Sequence, residues 1–288
     1  MSNQKKNGLV ILHSIKSADL KDTNLENCRL NILMGENRFA YCIINKKNVV
    51  SSLNDYAISA SNNKNYIALL AKCVDQHNLL GKHFRKVNIG IQTANHCMLS
   101  NSLVKDESLI EQYYTVVPPP SKKKQVFLKT SIDNSGYFLA YNLRKKTFDF
   151  LTKNWANAQI KHAFGSFLNS ILHDNDSTSP KKMYVNLYRG FVDICVTHYG
   201  KLKYTNTFAY ANSAELLYNL LNAGKLNFFD FEKGAVYLSG FDTEDNAYLN
   251  LLSDYIHHLH LLSTPSHIET CVELFGMPNH QYYNLYCL

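Results

Sequence analysis

Two stretches, half the chain apart, repeat one pattern of apolar and polar positions. Residues 30–44 run from Leu30 through Ile32, Leu33 and Met34 to a polar turn at Gly35 to Arg38, then through Phe39, Tyr41, Ile43 and Ile44. Residues 183–196 run from Met183 through Val185 and Leu187 to Arg189-Gly190, then through Phe191, Val192, Ile194 and Val196. In each, two apolar-rich runs flank a short turn holding a Gly and an Arg, which predicts a β-hairpin. A third β-like run follows each, at Val49-Val50 and at residues 202–210. The repeat predicts two lobes and pairs Phe39 with Phe191, each ring planted in the core of its own lobe.

Between the repeats, residues 65–80 predict a helix with Ile67, Leu70, Ala71 and Val74 on one face. Residues 86–92 predict a strand, and 96–99 one that returns beside it. A short helix over 107–114 ends at the loop of Pro118, Pro119 and Pro120. Residues 125–132 and 137–141 form a hairpin around Asn134, Ser135 and Gly136, and 162–172 a helix with Phe164, Phe167, Leu168, Ile171 and Leu172 inward. The sharpest composition break, 173–182, reads as a linker. The second hairpin is followed by a helix over 213–221 capped by Ser213, a buried strand over 234–240, a helix over 244–255 and a short strand over 258–262. That order predicts an α/β layered lobe, and the boundaries are a first lobe over 8–173, a linker over 174–182 and a second lobe over 183–288.

Composition narrows the function classes. The 288 residues hold no apolar run long enough for a membrane span, and the N-terminus lacks a small-residue cleavage site, which argues against a signal peptide. Seven scattered cysteines with no Cys-x-x-Cys pair suit reduced, buried thiols in a cytoplasmic protein rather than a zinc or redox motif. The net charge of +7 gathers in short runs at Lys46-Lys47, Lys122 to Lys124, Arg144 to Lys146 and Lys181-Lys182, each expected in a loop. His257, His258 and His260 are the only histidine cluster; with no third ligand partner in view, no metal site is assigned. Cys97 beside His96 points to the opposite face of a strand, so the two form no dyad. Phosphate-loop, serine-hydrolase and zinc-protease motifs are absent, and no catalytic residue is assigned.

Residues 204–210, 215–221 and 236–240 carry a more specific likeness. On them the chain resembles an uncharacterised bacterial family, number 3822 of the domains of unknown function, and through it the actin-like ATPase superfamily with its duplicated ribonuclease-H-like core. The resemblance implies a two-lobed actin-like α/β fold, nearest to pilus-assembly and secretion scaffolds, and no established activity. Actin-like ATPases carry Asp-x-Gly in each hairpin, where the carboxylates serve Mg²⁺ and water while turn amides cradle phosphate. The matching positions here are Leu33-Met34-Gly35 and Asn186-Leu187-Tyr188, and Ser239-Gly240 stands where nucleotide-binding members have Gly-Gly. Asp193 lies on the outgoing strand and is expected to face solvent, and Asn206-Thr207-Phe208 to satisfy a neighbouring turn.

These readings lead to a catalytically silent actin-like protein that holds no cofactor and binds a protein partner. One alternative is a divergent ATPase, with ATP and Mg²⁺ held around Gly35, Arg38, Arg189, Gly190 and Gly240 and Glu36 replacing a carboxylate. The other is a nucleic-acid-associated factor using the lysine runs.

Overall fold

The computed structural model of the chain describes residues 8–59, 63–77, 79–104, 106, 109–114, 124–174, 178, 180–240 and 246–288. The proline loop, Lys122, Lys123 and the first residues of the 107–114 and 244–255 helices lie outside them.

The first lobe opens with β1 (Leu9–Lys16) and two 3-10 turns, then β2 (Arg29–Met34), β3 (Arg38–Ile44), β4 (Val49–Ile58), α1 (Asn63–Gln76) and β5 (Lys86–Ile91). An insertion follows: β6 (His96–Ser100), α2 (Ile110–Tyr114), β7 (Gln125–Ile132) and β8 (Tyr137–Arg144). Then come α3 (Lys145–Asn154), β9 (Gln159–His162) and α4 (Ala163–His173). The main sheet runs β1-β4-β3-β2-β5-β9, and the insertion makes its own sheet, β6-β8-β7. The second lobe holds β10 (Lys182–Tyr188), β11 (Phe191–His198), β12 (Lys201–Ala209), α5 (Ser213–Leu226), β13 (Ala235–Ser239), α6 (Asn246–Ser253) and β14 (Leu259–Leu261), in the order β12-β11-β10-β13-β14. The chain ends with β15 (Glu269–Thr270), two more 3-10 turns and α7 (Tyr283–Tyr286).

Both lobes place three antiparallel strands beside two that run parallel to the first, as a duplicated ribonuclease-H-like core requires. In the first, Leu30, Ile32, Met34, Phe39, Tyr41 and Ile43 pack beneath Leu69, Leu70 and Cys73 of α1. In the second, Met183, Val185, Leu187, Val192, Ile194 and Val196 pack beneath Leu216, Leu217 and Leu220 of α5. Alternation puts one face of each hairpin against its helix, and each fully buried aliphatic or aromatic side chain contributes roughly 1.5–3 kcal/mol.

The two lobes match in a register one residue away from the expected one. Gly35 N–H bonds Arg38 O at 2.9 Å and so closes the first hairpin around Glu36-Asn37; Tyr188 and Phe191 close the second around Arg189-Gly190. Arg38 is therefore the counterpart of Phe191, and Phe39 that of Val192. Phe39 is buried in its lobe's core, but Phe191 points to the other face, half-buried and stacked on Tyr188 at 4.3 Å between centroids. A slip of one position flips a side chain across the sheet, and the shared aromatic hid the slip.

Other elements differ from the sequence reading. β6 pairs with β8 and not with β5. β1, α3 and β9 form where no element was expected. Arg144 ends β8 and Lys145-Lys146 start α3, where Lys145 pairs with Asp149 one turn on, so this basic run lies outside a loop. Asn212, not Ser213, caps α5: its Oδ1 accepts from Glu215 N at 2.9 Å while Glu215 Oε2 accepts from Ala211 N at 2.8 Å.

The C-terminal stretch crosses back to the first lobe. β15 pairs parallel with β4, and Ile268, Leu274, Tyr282, Leu285, Tyr286 and Leu288 cover Leu33, Ala40, Cys42, Ile44, Val50 and Leu53 on the face opposite α1. Along the seam between lobes, Phe164, Phe167, Leu168 and Ile171 of α4 join Ile132, Leu139, Tyr184, Cys195 and Tyr283.

Candidate functional site

The inner faces of the two sheets are where an actin-like protein holds its nucleotide. Leu33, at the first carboxylate position, is buried in the apolar cluster that includes Leu285 and Leu288. Beside it, a Cβ on Gly90 would stand 2.5 Å from Leu288 Cδ2 and 3.2 Å from Leu33 Cδ1, so Leu288 packs into the space a side chain there would take. Asn31 Nδ2 donates to Leu285 O at 2.9 Å, and Asn88 Nδ2 donates to Asn31 Oδ1 at 3.0 Å and to Leu288 O at 3.1 Å. Two buried amides thus pin the end of the chain to the first sheet.

Asn186, at the second carboxylate position, is wholly buried. Its Nδ2 donates to Asn284 Oδ1 at 3.1 Å and to Tyr188 Oη at 2.6 Å; its Oδ1 accepts from Asn284 Nδ2 at 2.8 Å and Ser239 Oγ at 3.1 Å. Two donors and two acceptors are all used, so the side chain has no capacity left for a ligand. The segment 280–288 therefore touches both positions, through Leu285 and Leu288 on one side and Asn284 on the other.

The residues considered for nucleotide contact are distributed as follows. Gly35 spends its N–H inside its own turn, and its carbonyl accepts from Tyr66 Oη at 2.7 Å. Arg38 forks onto Asp55, Nε to Oδ1 at 2.9 Å and Nη2 to Oδ2 at 2.7 Å, and lies 5.3 Å over the Tyr282 ring. Tyr282 Oη also reaches Asp55 Oδ2 at 3.2 Å and His13 Nδ1 at 2.6 Å, which ties β1, β3, β4 and the C-terminal segment into one polar knot. Arg189 and Gly190 are exposed at the tip of the second hairpin, and Glu36 is exposed at the tip of the first. Gly240 adopts φ +85°, and its N–H donates to His280 O at 2.8 Å; a Cβ there would lie 2.5 Å from both Asn186 Oδ1 and Leu187 O. Both carboxylate positions and the later glycine are thus packed against the protein's own groups.

The sequence reading missed a polar group on the inner face of the second sheet. Asp193, expected in solvent, is 0 % exposed. Burial pushes its carboxyl up to about 7, against the opposing pull of the Thr207 hydroxyl and Tyr188. Thr207 serves Asp193 and His96 rather than a turn. His96 packs at a tilt against the buried His162, 4.3 Å between ring centroids, and burial lowers it to about 4. Cys97 does point away from His96, toward Ile110 and Tyr114. Contacts spanning 111 residues, as between His96 and Thr207, leave no local trace in a sequence.

His257, His258 and His260 are exposed, with His260 stacked on Tyr237 at 5.3 Å, and among the described residues no group of three suitable side chains converges as a metal site. All seven cysteines are free thiols. Lys181 Nζ caps the end of α5, donating to Asn227 O at 2.7 Å and Phe228 O at 3.1 Å, while Lys46 and Lys47 are exposed in the β3–β4 turn.

The profile of the family described as "Protein of unknown function (DUF3822)" matches residues 17–259. The chain belongs to this family. No curated protein matches it. Among solved structures, the chain is similar to a Bacteroides thetaiotaomicron protein with an actin-like ATPase fold and unknown function, at 19 % identity, 83 % of this chain, 91 % of that one and a TM-score of 0.73. It is also similar to a chain of the PilM–PilN type IV pilus biogenesis complex, at 10 % identity, 90 % of this chain, 97 % of that one and a TM-score of 0.58. At these identities the likeness is one of fold, and the fold of this DUF3822 protein is that of the actin-like ATPases. Among the described residues no helix is long and apolar enough to cross a membrane.

Proposed function

We propose that this DUF3822 protein is a catalytically silent actin-like scaffold that works by binding another protein. One observation carries the reading: the chain's own C-terminal segment packs against Leu33 and Asn186, where a working ATPase needs two carboxylates. Without those carboxylates nothing positions Mg²⁺ to neutralise the charge that develops on a transferred phosphoryl group, the main source of catalysis in such enzymes. The likeness to a chain of the PilM–PilN complex supports a scaffold role. Seven unpaired thiols support a reducing compartment, the cytoplasm. Nucleic-acid binding is less well supported, because one lysine in each of two of the four basic runs is engaged at a helix end.

Calorimetry and phosphate release at millimolar Mg-ATP test the silent cleft, and neither saturable heat nor turnover is expected. Saturable binding with turnover removed by Glu36→Gln would overturn the reading in favour of the divergent ATPase. Pull-down from native lysate at low and moderate salt, with and without nuclease, tests the partner class; a protein retained after nuclease treatment is expected. Recovery of nucleic acid alone, lost on adding salt, would replace the scaffold with a basic-surface binder.

A further inference from the structure

Three side chains from both lobes meet in a chain of short contacts. His96 Nδ1 lies 3.2 Å from Thr93 O, His96 Nε2 lies 3.1 Å from Thr207 Oγ1, and Thr207 Oγ1 lies 2.5 Å from Asp193 Oδ1. His96 belongs to the first-lobe insertion, Thr207 and Asp193 to the second-lobe sheet. A carbonyl only accepts, so His96 Nδ1 carries a hydrogen. With neutral His96, Nε2 is then an acceptor and requires the one hydroxyl proton of Thr207. Asp193 Oδ1, in contact with the same hydroxyl, must in turn carry a proton and donate it to Thr207 Oγ1. The alternative placement, with that proton on Nε2, makes His96 cationic and Asp193 anionic inside a site that burial keeps apolar. Both arrangements contain one proton more than a neutral imidazole and an ionised carboxylate hold together. Remove it, and one hydroxyl hydrogen faces two acceptors.

We propose that His96, Thr207 and Asp193 form a one-proton latch between the lobes, fastened while the trio holds that proton and released when it is lost. The groups around it do not substitute for the proton. Tyr188 on β10 and Cys195 on β11 are kept neutral by burial, as is Cys287 behind Tyr188. His162 on β9 is lowered well below its ordinary value by burial and by His96. Tyr188 Oη lies near enough to favour the ionised carboxyl, yet Asp193 Oδ2 makes no hydrogen bond. With Asp193 raised to about 7 and His96 lowered to about 4, the trio is protonated in mildly acidic solution and gives up its proton as pH rises through neutrality. The opening governed in this way is the seam that a partner on the cleft side would meet.

Hydrogen exchange of β6 and β12 amides in the full-length protein, corrected for intrinsic rates from pH 5.5 to 9, reads the latch directly. Protection should be flat in mild acid, where the opened trio keeps one proton on His96, fall as pH rises past the ordinary histidine value of 6.5 toward about 7, where only the closed trio still holds it, and level off above. Asp193→Asn supplies a permanent N–H donor to Thr207 and should abolish the fall toward pH 7, leaving only the loss of protection below about 6.5 that ionisation of an opened His96 brings. Thr207→Val should lose protection at every pH, and Thr207→Ser should regain the wild-type profile. A wild-type profile without pH dependence, or an Asp193→Asn profile that still follows the wild type, overturns the proposal. If Asp193→Asn does not fold, nitrogen NMR of wild-type His96 decides: a neutral Nδ1–H tautomer at pH 6 is expected, and an imidazolium there overturns the proton placement.

Discussion

Restoring one lost carboxylate provides a quantitative test of the filled cleft. Asn186→Asp keeps the shape of the side chain but removes its two donations, to Tyr188 Oη and Asn284 Oδ1. At roughly 1 kcal/mol for each hydrogen bond, that loss is about 2 kcal/mol for the ionised side chain and about 1 kcal/mol for the protonated one, whose O–H still donates once. The new carboxyl also sits directly across the ladder from Asp193 at an equally buried position. Asp193 rises there from 3.8 to about 7, which at 1.36 kcal/mol per pH unit corresponds to a cost of about 4 kcal/mol for the ionised form. A carboxyl raised on folding costs nothing below its unfolded pKa, where both states hold the proton, and the full amount above its folded pKa. Asn186→Asp should therefore lose about 1 kcal/mol near pH 4 and about 6 kcal/mol at pH 8, measured against wild type at each pH. Urea unfolding followed by circular dichroism measures both gaps. Equal gaps at the two pH values would refute the burial argument. A gain in stability on adding Mg²⁺ at pH 8 would refute the occupied cleft itself.

Two further substitutions test the register and the cleft glycine. Phe39→Ala should cost about 3–5 kcal/mol because it opens a cavity in the first core, whereas Phe191→Ala should cost only about 1 kcal/mol, the worth of one half-buried stacked pair; equal losses in urea unfolding would restore the register inferred from sequence. Gly240→Ala should cost about 3 kcal/mol, from a left-handed backbone and from a Cβ 2.5 Å from Leu187 O, and a variant with an unchanged melting temperature would contradict that packing.

Period-two alternation made the duplicated hairpins, β5, β10 to β13 and the β7–β8 pair legible, because a strand covered by a helix on one side writes that burial into its own residues. The inward face of α4 was readable for the same reason, whereas α1 buries Leu69, Leu70 and Cys73 and shares only Leu70 with the face read from its sequence. β1 carried no such signal, since Ile11 and Leu12 are exposed on it, and β9 is too short at four residues to show a period. The missing carboxylates at Leu33 and Asn186 were visible as residue types. What fills their places was not, because Asn186 and Asn284 are 98 residues apart and their pairing is set by the path of the chain between them. Asp193 shows the limit most plainly: its identity reads as a surface residue, and only the second lobe's inner face, closed over by His96 from the first, makes it a buried acid. Residue types and their spacing determine which strands and helices form and which face of each is apolar. Which polar residues lose contact with water depends on how two finished lobes and a returning C-terminal segment meet, a long-range outcome that no local pattern encodes.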